Sequence, residues 1–370
     1  MNLESLPKDL TSMRLAHPFR TQAFSGQGPE LLRRLTGEKE WAKFVTILRD
    51  ESILAGAMVE AIQKRGLRTL EQLVYASTQA TGSTELGGAM PFLVALRHQE
   101  MPYPIFRVED ALVDILTKTD ISDDICVSML PLPYPRLYVE LGQSRTLKEV
   151  LSNVDSGQHI LEGAYIEKGM DARRGEGYYI MLTGSPLGKE NVMDDATLAF
   201  FLPTATGDER LQDVLLKSVQ HANQEALAKG LRQTPVEWTD ECFRCLLLLI
   251  KALLYISLPE TRRQLHPERT EALKELQRIK SSAKRAKAER RLGKLSDFVL
   301  VKAALAHEKA FSETATREGG VKPHWRRAHY RMQAHGPHMS LRKLIFVTEM
   351  LVGVGDHPDD KTPVRDYVVR

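Results

Sequence analysis

Between Pro323 and His338 the chain reads PHWRRAHYRMQAHGPH, sixteen residues that hold four histidines, three arginines, one tryptophan and one tyrosine. Each of these types can do chemistry. An arginine guanidinium presents a planar fork of donors that matches phosphate oxygens two at a time, and aromatic or imidazole rings stack on unpaired bases. His324, Trp325, Arg326, Arg327, His329, Tyr330 and Arg331 therefore suit a phosphate-rich, largely single-stranded partner such as RNA. Imidazoles also titrate near neutrality, so His324, His329 and His335 are the groups a metal-free ribonuclease would use as acid and base. A metal is a weaker reading. The spacing of the histidines follows neither a zinc finger nor HExxH, and no cysteine lies nearby, so no metal or other cofactor is assigned. The alternative to all of these is structural, with the histidines and Trp325 packed between strands and the arginines paired with an acidic body.

The charge distribution favours binding. The whole chain carries 51 Lys and Arg against 48 Asp and Glu, a net of +3, which says little about partners. From Pro259 to Phe346, however, there are 21 basic residues against 9 acidic ones, leaving 30 against 39 for the rest. The C-terminal third is a basic module on an acidic body. Within it KELQRIKSSAKRAKAERRLGK places Lys274, Arg278, Lys284, Arg285, Arg290 and Arg291 on nearby helical turns, a stripe suited to phosphate or to solvent.

Other motifs carry less. Cys242 and Cys245 form a CxxC, but the pair opens an apolar helix and has no second CxxC, so core packing accounts for it. The run GSPLGK from Gly184 to Lys189 is one residue short of a Walker A loop and is followed by Glu190, which reads as a turn between strands. Asp194 and Asp195 read as turn or cap residues as readily as catalytic acids. Three cysteines cannot form a fully paired disulfide framework, and the N-terminus lacks a signal-peptide pattern. No apolar run is long enough to span a bilayer comfortably. A cytoplasmic protein with no membrane partner is expected.

The elements that position these residues predict an α+β fold. Four amphipathic helices are expected between Pro29 and about Ala80, with breaks at Gly37, Asp50 and Gly66. A further helix includes Val108, Leu112, Ile115 and Leu116 and ends near Asp120. PRLYVEL, HILEGAYIEK, GYYIMLTG and TLAFFLP are short β-branched or aromatic runs bounded by Gly, Pro and Asp, which predicts a central antiparallel meander. A long helix follows from about Glu209 to Lys229, and Val236 to Ser257 predicts a buried central helix. Glu260 to Lys294 is expected to be helical or partly disordered, with SDFVLVKAA and KLIFVTEMLVG as strands flanking the His/Arg motif. These elements divide the chain into a helical region 1–104, an α+β core 105–258 and a basic, strand-containing module 259–370.

The order of segments adds a family resemblance. FRVEDALVDILTKTDISDDICVSMLPLPYPRLYVEL, CLLLLIKALLYISLPE, SDFVLV and VKPHWRRAHYRMQAHGPHMSLRKLIFVTEMLVG follow one another as in a plasmid- and phage-borne family that includes a type V-A anti-CRISPR. The resemblance covers roughly Ile105 to Gly353. Its most specific part is the PHxRRxH motif with a downstream glycine, matched here by Pro323, His324, Arg326, Arg327, His329 and Gly336. Ala328 and Tyr330 stand where the family often has Gly and Trp, and the first hundred residues find no counterpart. The resemblance implies a recognition protein that blocks biogenesis of a CRISPR effector nuclease: it binds a nascent polypeptide at the ribosome and triggers loss of the encoding messenger RNA.

Overall fold

A computed structural model of the chain describes residues 16–25, 28–50, 89–130, 132–142, 149–154, 157–171, 173–186, 195–204, 207–228, 236–259, 261–292, 297–303, 324–348 and 350–352. The architecture is α+β, as expected, and its centre is an eight-stranded sheet. The aromatic and β-branched runs of the middle region supply β3 (Arg136–Glu140), β4 (Val150–Val154), β5 (Gly157–Asp171), β6 (Gly175–Pro186) and β7 (Ala196–Pro203). β3, β5, β6 and β7 lie side by side and antiparallel, with β4 also on β5, which is the meander. The sheet continues beyond it. β1 (Ile105–Val108) runs parallel to β3 and to β9 (Phe298–Lys302), and β8 (Arg262–His266) closes the order antiparallel to β9. The sheet is therefore mixed, and its parallel centre joins segments almost two hundred residues apart.

Alternation along these strands sorts side chains onto two faces. Leu137, Val139, Leu161, Ala164, Ile166, Ile180, Leu182 and Phe200 face one apolar core. That core is covered by α4 (Asp110–Thr117), α5 (Leu211–Ala228) and α6 (Val236–Ser257). α6 carries Leu246, Leu249, Ile250, Leu253 and Leu254 and is buried as its composition predicts. Tyr138, Tyr165, Tyr179, Met181 and Phe201 face the other way, beneath α1 (His17–Ser25), α2 (Gly28–Asp50) and α3 (Ala89–Glu100). The result is a helix, sheet, helix sandwich.

Several expectations are corrected in detail. The helix expected to include Val108 is divided, because Ile105, Phe106 and Val108 are paired in β1 and the helix starts only after Glu109 at its N-cap. Arg262–His266, expected in a helical or disordered stretch, is a strand because its backbone completes the pairing of β9. Gly37 breaks α2 as predicted, with φ at 73°, a region glycine enters at little cost. The third and fourth expected N-terminal helices, from Glu51 to about Ala80, lie outside the described residues. No described helix is long and apolar enough to cross a membrane.

Candidate functional sites: a basic hairpin and a buried polar cluster

The His/Arg motif folds as strands at the side of the body. β10 (His324–Arg326) pairs with β13 (Met350–Val352), and β11 (His329–His335) pairs with β12 (Leu341–Val347) along its whole length. β11 also runs parallel to β2 (Asp120–Ile121), so backbone bonds from Asp120 and Ser122 to the carbonyls of Ala328 and Tyr330 tie the hairpin down. Alternation then divides the motif. Tyr330 and Met332 turn inward with Leu344 and Phe346 against the main core. His329, Arg331, Gln333 and His335 occupy the other face, and Arg326 and Arg327 are exposed at the bend before β11.

Tyr330 is the clearest correction. Expected as a ring for base stacking, it is fully buried, and its hydroxyl donates to the Lys251 carbonyl at 2.6 Å. Burial pushes its phenol pKa well above the ordinary value. A ring so placed is a core residue, with no face left for a ligand. His329 is half-buried: Nδ1 lies 3.1 Å from the Arg327 carbonyl and Nε2 lies 3.4 Å from an Arg326 nitrogen. His335 is exposed at the far end of the strand. Six residue steps along the strand put the two histidines about 20 Å apart, too far to act as acid and base on one bond. The backbones of His324 and Trp325 are paired in β10; their side chains lie outside the described residues. Between β11 and β12, His338 and Met339 both have positive φ, 52° and 57°, a strained turn for non-glycine residues, and both are exposed.

The second basic cluster forms a helical hairpin of α7 (Glu268–Arg278) and α8 (Ser282–Leu292). Its base is fixed by Asp297, whose carboxylate accepts the backbone N–H groups of Arg269 and Thr270 at 2.9 and 3.0 Å, a cap on the first turn of α7. Arg269 also donates to the Leu292 carbonyl at 2.8 Å, which closes α8 onto the same base. The turn between the helices is the end away from that base. Arg278, Lys280, Lys284, Arg285 and Lys287 gather there, all exposed, and α7 buries no residue. Arg290 and Arg291 belong to α8, with side chains outside the described residues.

A third group was not anticipated as a site. α1 lays His17 and Arg20 onto the tyrosine face of the sheet. His17 Nδ1 is 2.6 Å from the Tyr165 hydroxyl, and its Nε2 is 3.3 Å from Asp195 Oδ2. Arg20 bonds Glu162 Oε1 and lies 3.3 Å from the same Asp195 oxygen. Ser185 Oγ donates to the other Glu162 oxygen at 2.5 Å. The His17, Arg20, Glu162 and Asp195 side chains are at most 6% exposed. Burial works against the Arg20 charge, but Glu162 and Asp195 outweigh it and hold its pKa above the ordinary value.

His17, Glu162 and Asp195 bring one ligand atom each within 4.8 Å of one another, close enough to hold a metal ion. The bonding argues for an ion-pair network. Both Glu162 oxygens are engaged, by Arg20 and Ser185, and a divalent ion would have to sit against a guanidinium. One signal in the sequence could have found this group. Glu162 and Glu167 stand within and directly after the apolar run from Ile160 to Ile166, and buried carboxylates require partners. A second ion pair answers to Glu167, where Arg97 of α3 and the Tyr103 hydroxyl donate to one oxygen at 2.6 and 2.9 Å.

The CxxC pair is part of the core. Cys242 and Cys245 are buried in α6, and burial pushes the Cys242 thiol up to about 11, as inert core thiols require. Gly184 and Ser185 end β6, while Leu187 to Asp194 lie outside the described residues. Asp195 is buried, as described above.

No curated protein and no solved structure matches the chain at a significant level. A family model does, over residues 106–354, which takes in the sheet, α6, the α7–α8 hairpin and the His/Arg strands. That span is more than half of the chain, and it begins after α1, α2 and α3. The chain belongs to the anti-CRISPR type V subtype A2 family.

Proposed function

We propose that this protein is an anti-CRISPR that limits production of a type V-A effector nuclease, by recognising the nascent polypeptide and bringing about loss of its messenger RNA. Membership of the family carries the anti-CRISPR part of this reading. The mechanism draws its support from the separation of charge. The acidic, sheet-centred body offers a protein-binding scaffold, while the exposed cations of the α7–α8 turn and of the β10–β11 bend offer phosphate contacts. The division of labour follows the three segments 1–104, 105–258 and 259–370, with RNA or ribosome contact assigned to the last. The setting is the cytoplasm, where translation takes place, and no cofactor is required.

Arg326, Arg327, Arg278, Lys284 and Arg285 are the residues assigned to RNA or ribosome contact, with Arg331, Arg290, Arg291, His324, Trp325 and His329 beside them. The ribonuclease alternative has less support, because His329 and His335 cannot share one centre.

The test is to capture the tagged full-length protein from translating cells and sequence the RNA that comes with it, for the wild type and for Arg326→Ala/Arg327→Ala. Enrichment of one messenger together with ribosomes, lost when translation is stopped, is the expected result. RNA captured equally well without ribosomes would replace nascent-chain recognition with direct RNA binding.

A further inference from the structure

We infer that the sheet face beneath α1 is a binding site for an arginine-bearing peptide segment, and that the chain's own His17 and Arg20 fill it in this structure. The lining comes from three strands, β3, β5 and β6, and the residue before β7: Tyr138, Tyr165, Glu162, Thr183, Ser185 and Asp195. All six lie inside the family-matched span, whereas the two filling side chains lie outside it. The lining therefore lies within the matched span, and its present occupant comes from the N-terminal layer outside it.

The chemistry of the lining is specific. Two carboxylates flank one guanidinium, a hydroxyl orients the nearer carboxylate, and a tyrosine hydroxyl meets the imidazole. Such a set selects a planar, delocalised cation over a point charge. An ordinary core would gain as much stability from apolar packing here, because two carboxylates taken out of water repay their desolvation only when fully bonded. Glu162 is so bonded, and Asp195 is not. Among the described residues, neither oxygen of Asp195 accepts a hydrogen bond, nor does His17 Nε2 find one, although both side chains are 2% exposed. The fit of His17 and Arg20 is thus incomplete, with capacity left on Asp195 for a ligand that donates better.

The occupant is held in place by its tertiary contacts. α1 has nine residues, too few for a helix to persist alone, so its place depends on contacts such as these. A partner segment carrying arginine can compete for Glu162 and Asp195, and α1 leaves when it does. This deepens the nascent-chain reading and rests on it, since it names the chemistry of the polypeptide that would be read.

The experiment uses the full-length chain and a labelled peptide of residues 16–26, AHPFRTQAFSG, beside the same peptide with citrulline in place of its arginine. Citrulline keeps the shape and removes the charge. Arg20→Ala vacates the guanidinium position and is expected to bind the arginine peptide about tenfold more tightly than the citrulline peptide, the difference between a charge-assisted and a neutral hydrogen bond. Adding Glu162→Gln should erase that preference. Wild type should bind the arginine peptide more weakly than Arg20→Ala, because its own side chain competes. Equal binding of the two peptides, or none, overturns the inference. Should Arg20→Ala fail to fold, hydrogen exchange on the wild type decides: amides of residues 17–25 should lose protection with the arginine peptide and keep it with the citrulline peptide, and an unchanged pattern overturns the inference. An arginine preference without messenger loss in cells would leave this site standing and remove the nascent-chain reading; messenger loss without an arginine preference would do the reverse.

Discussion

Replacing Arg97 with Met isolates the energetics that hold the N-terminal layer onto the sheet. Arg97 and Glu167 are 0% and 1% exposed, and one Glu167 oxygen takes both the Arg97 guanidinium at 2.6 Å and the Tyr103 hydroxyl at 2.9 Å. Methionine fills much of the same volume but takes away the guanidinium that faces the buried carboxylate. Removing one member of a buried pair costs about 3–5 kcal/mol, most of it from the charge left behind. At roughly 2–3 °C per kcal/mol for a chain of this size, the melting temperature should fall by about 6–15 °C. Arg97→Met/Glu167→Gln removes the stranded charge as well, and should recover about 2 kcal/mol of the loss. Urea and thermal unfolding followed by far-ultraviolet circular dichroism measure both. Lys168→Ala is the control, since the Lys168–Glu176 pair is half exposed on both sides and no measurable change is expected. A single variant within 1 kcal/mol of wild type, or a double variant less stable than the single, would refute the claim that the stranded carboxylate dominates.

Other consequences follow from the same geometry. His98 is buried beside Arg269, and burial first, then that charge, pushes its pKa down to about 4, so the folded state holds it neutral. Its contribution to stability is complete above the unfolded value near 6.5 and is lost as pH falls from there toward 4, about 3 kcal/mol in all. Urea midpoints at pH 7 and pH 4.5 should therefore differ less in His98→Asn than in wild type, and an equal difference would contradict this. At Gly163 a Cβ would stand 2.3 Å from the Val139 carbonyl and 2.5 Å from the Tyr138 hydroxyl, so Gly163→Ala should cost about 1–3 kcal/mol in the same unfolding assay. Lys284→Ala/Arg285→Ala/Lys287→Ala removes three exposed cations of α8 and should leave the fold intact. If α8 tracks an RNA backbone, the slope of log Kobs against log salt should flatten by about 2; an unchanged slope takes α8 out of the interface.

The legible part of the fold was what local pattern controls. The aromatic and β-branched runs around Tyr138, Tyr165, Tyr179 and Phe201 marked the meander, and the apolar run through Leu246 to Leu254 marked the buried helix. The parallel centre was not legible, because β1 and β9 meet only through the fold and neither names the other in its residues. Tyr330 misled for a physical reason. A tyrosine has the body of a core residue and the tip of a polar one, and here the tip finds the Lys251 carbonyl inside the protein. Glu162 was missed for another. It is the extra residue where the β5–β6 register shifts between Leu161 and Gly163, and this places it beside Ser185 and Arg20 rather than among the apolar side chains of α6. Period-two reading has no means of foreseeing such a shift. The basic surface was legible in amount but not in place. The α7–α8 turn carries its cations because Asp297 fixes the other end of the hairpin, a contact across 28 residues.

The central claim is that the protein acts while an effector nuclease is being made. The direct measurement is the abundance of the effector messenger in cells with and without this protein, for an intact reading frame and for the same messenger with its start codon removed. The account predicts a fall for the translated messenger and none for the untranslated one. An equal fall in both, or unchanged messenger with inhibition of effector made beforehand, would contradict it.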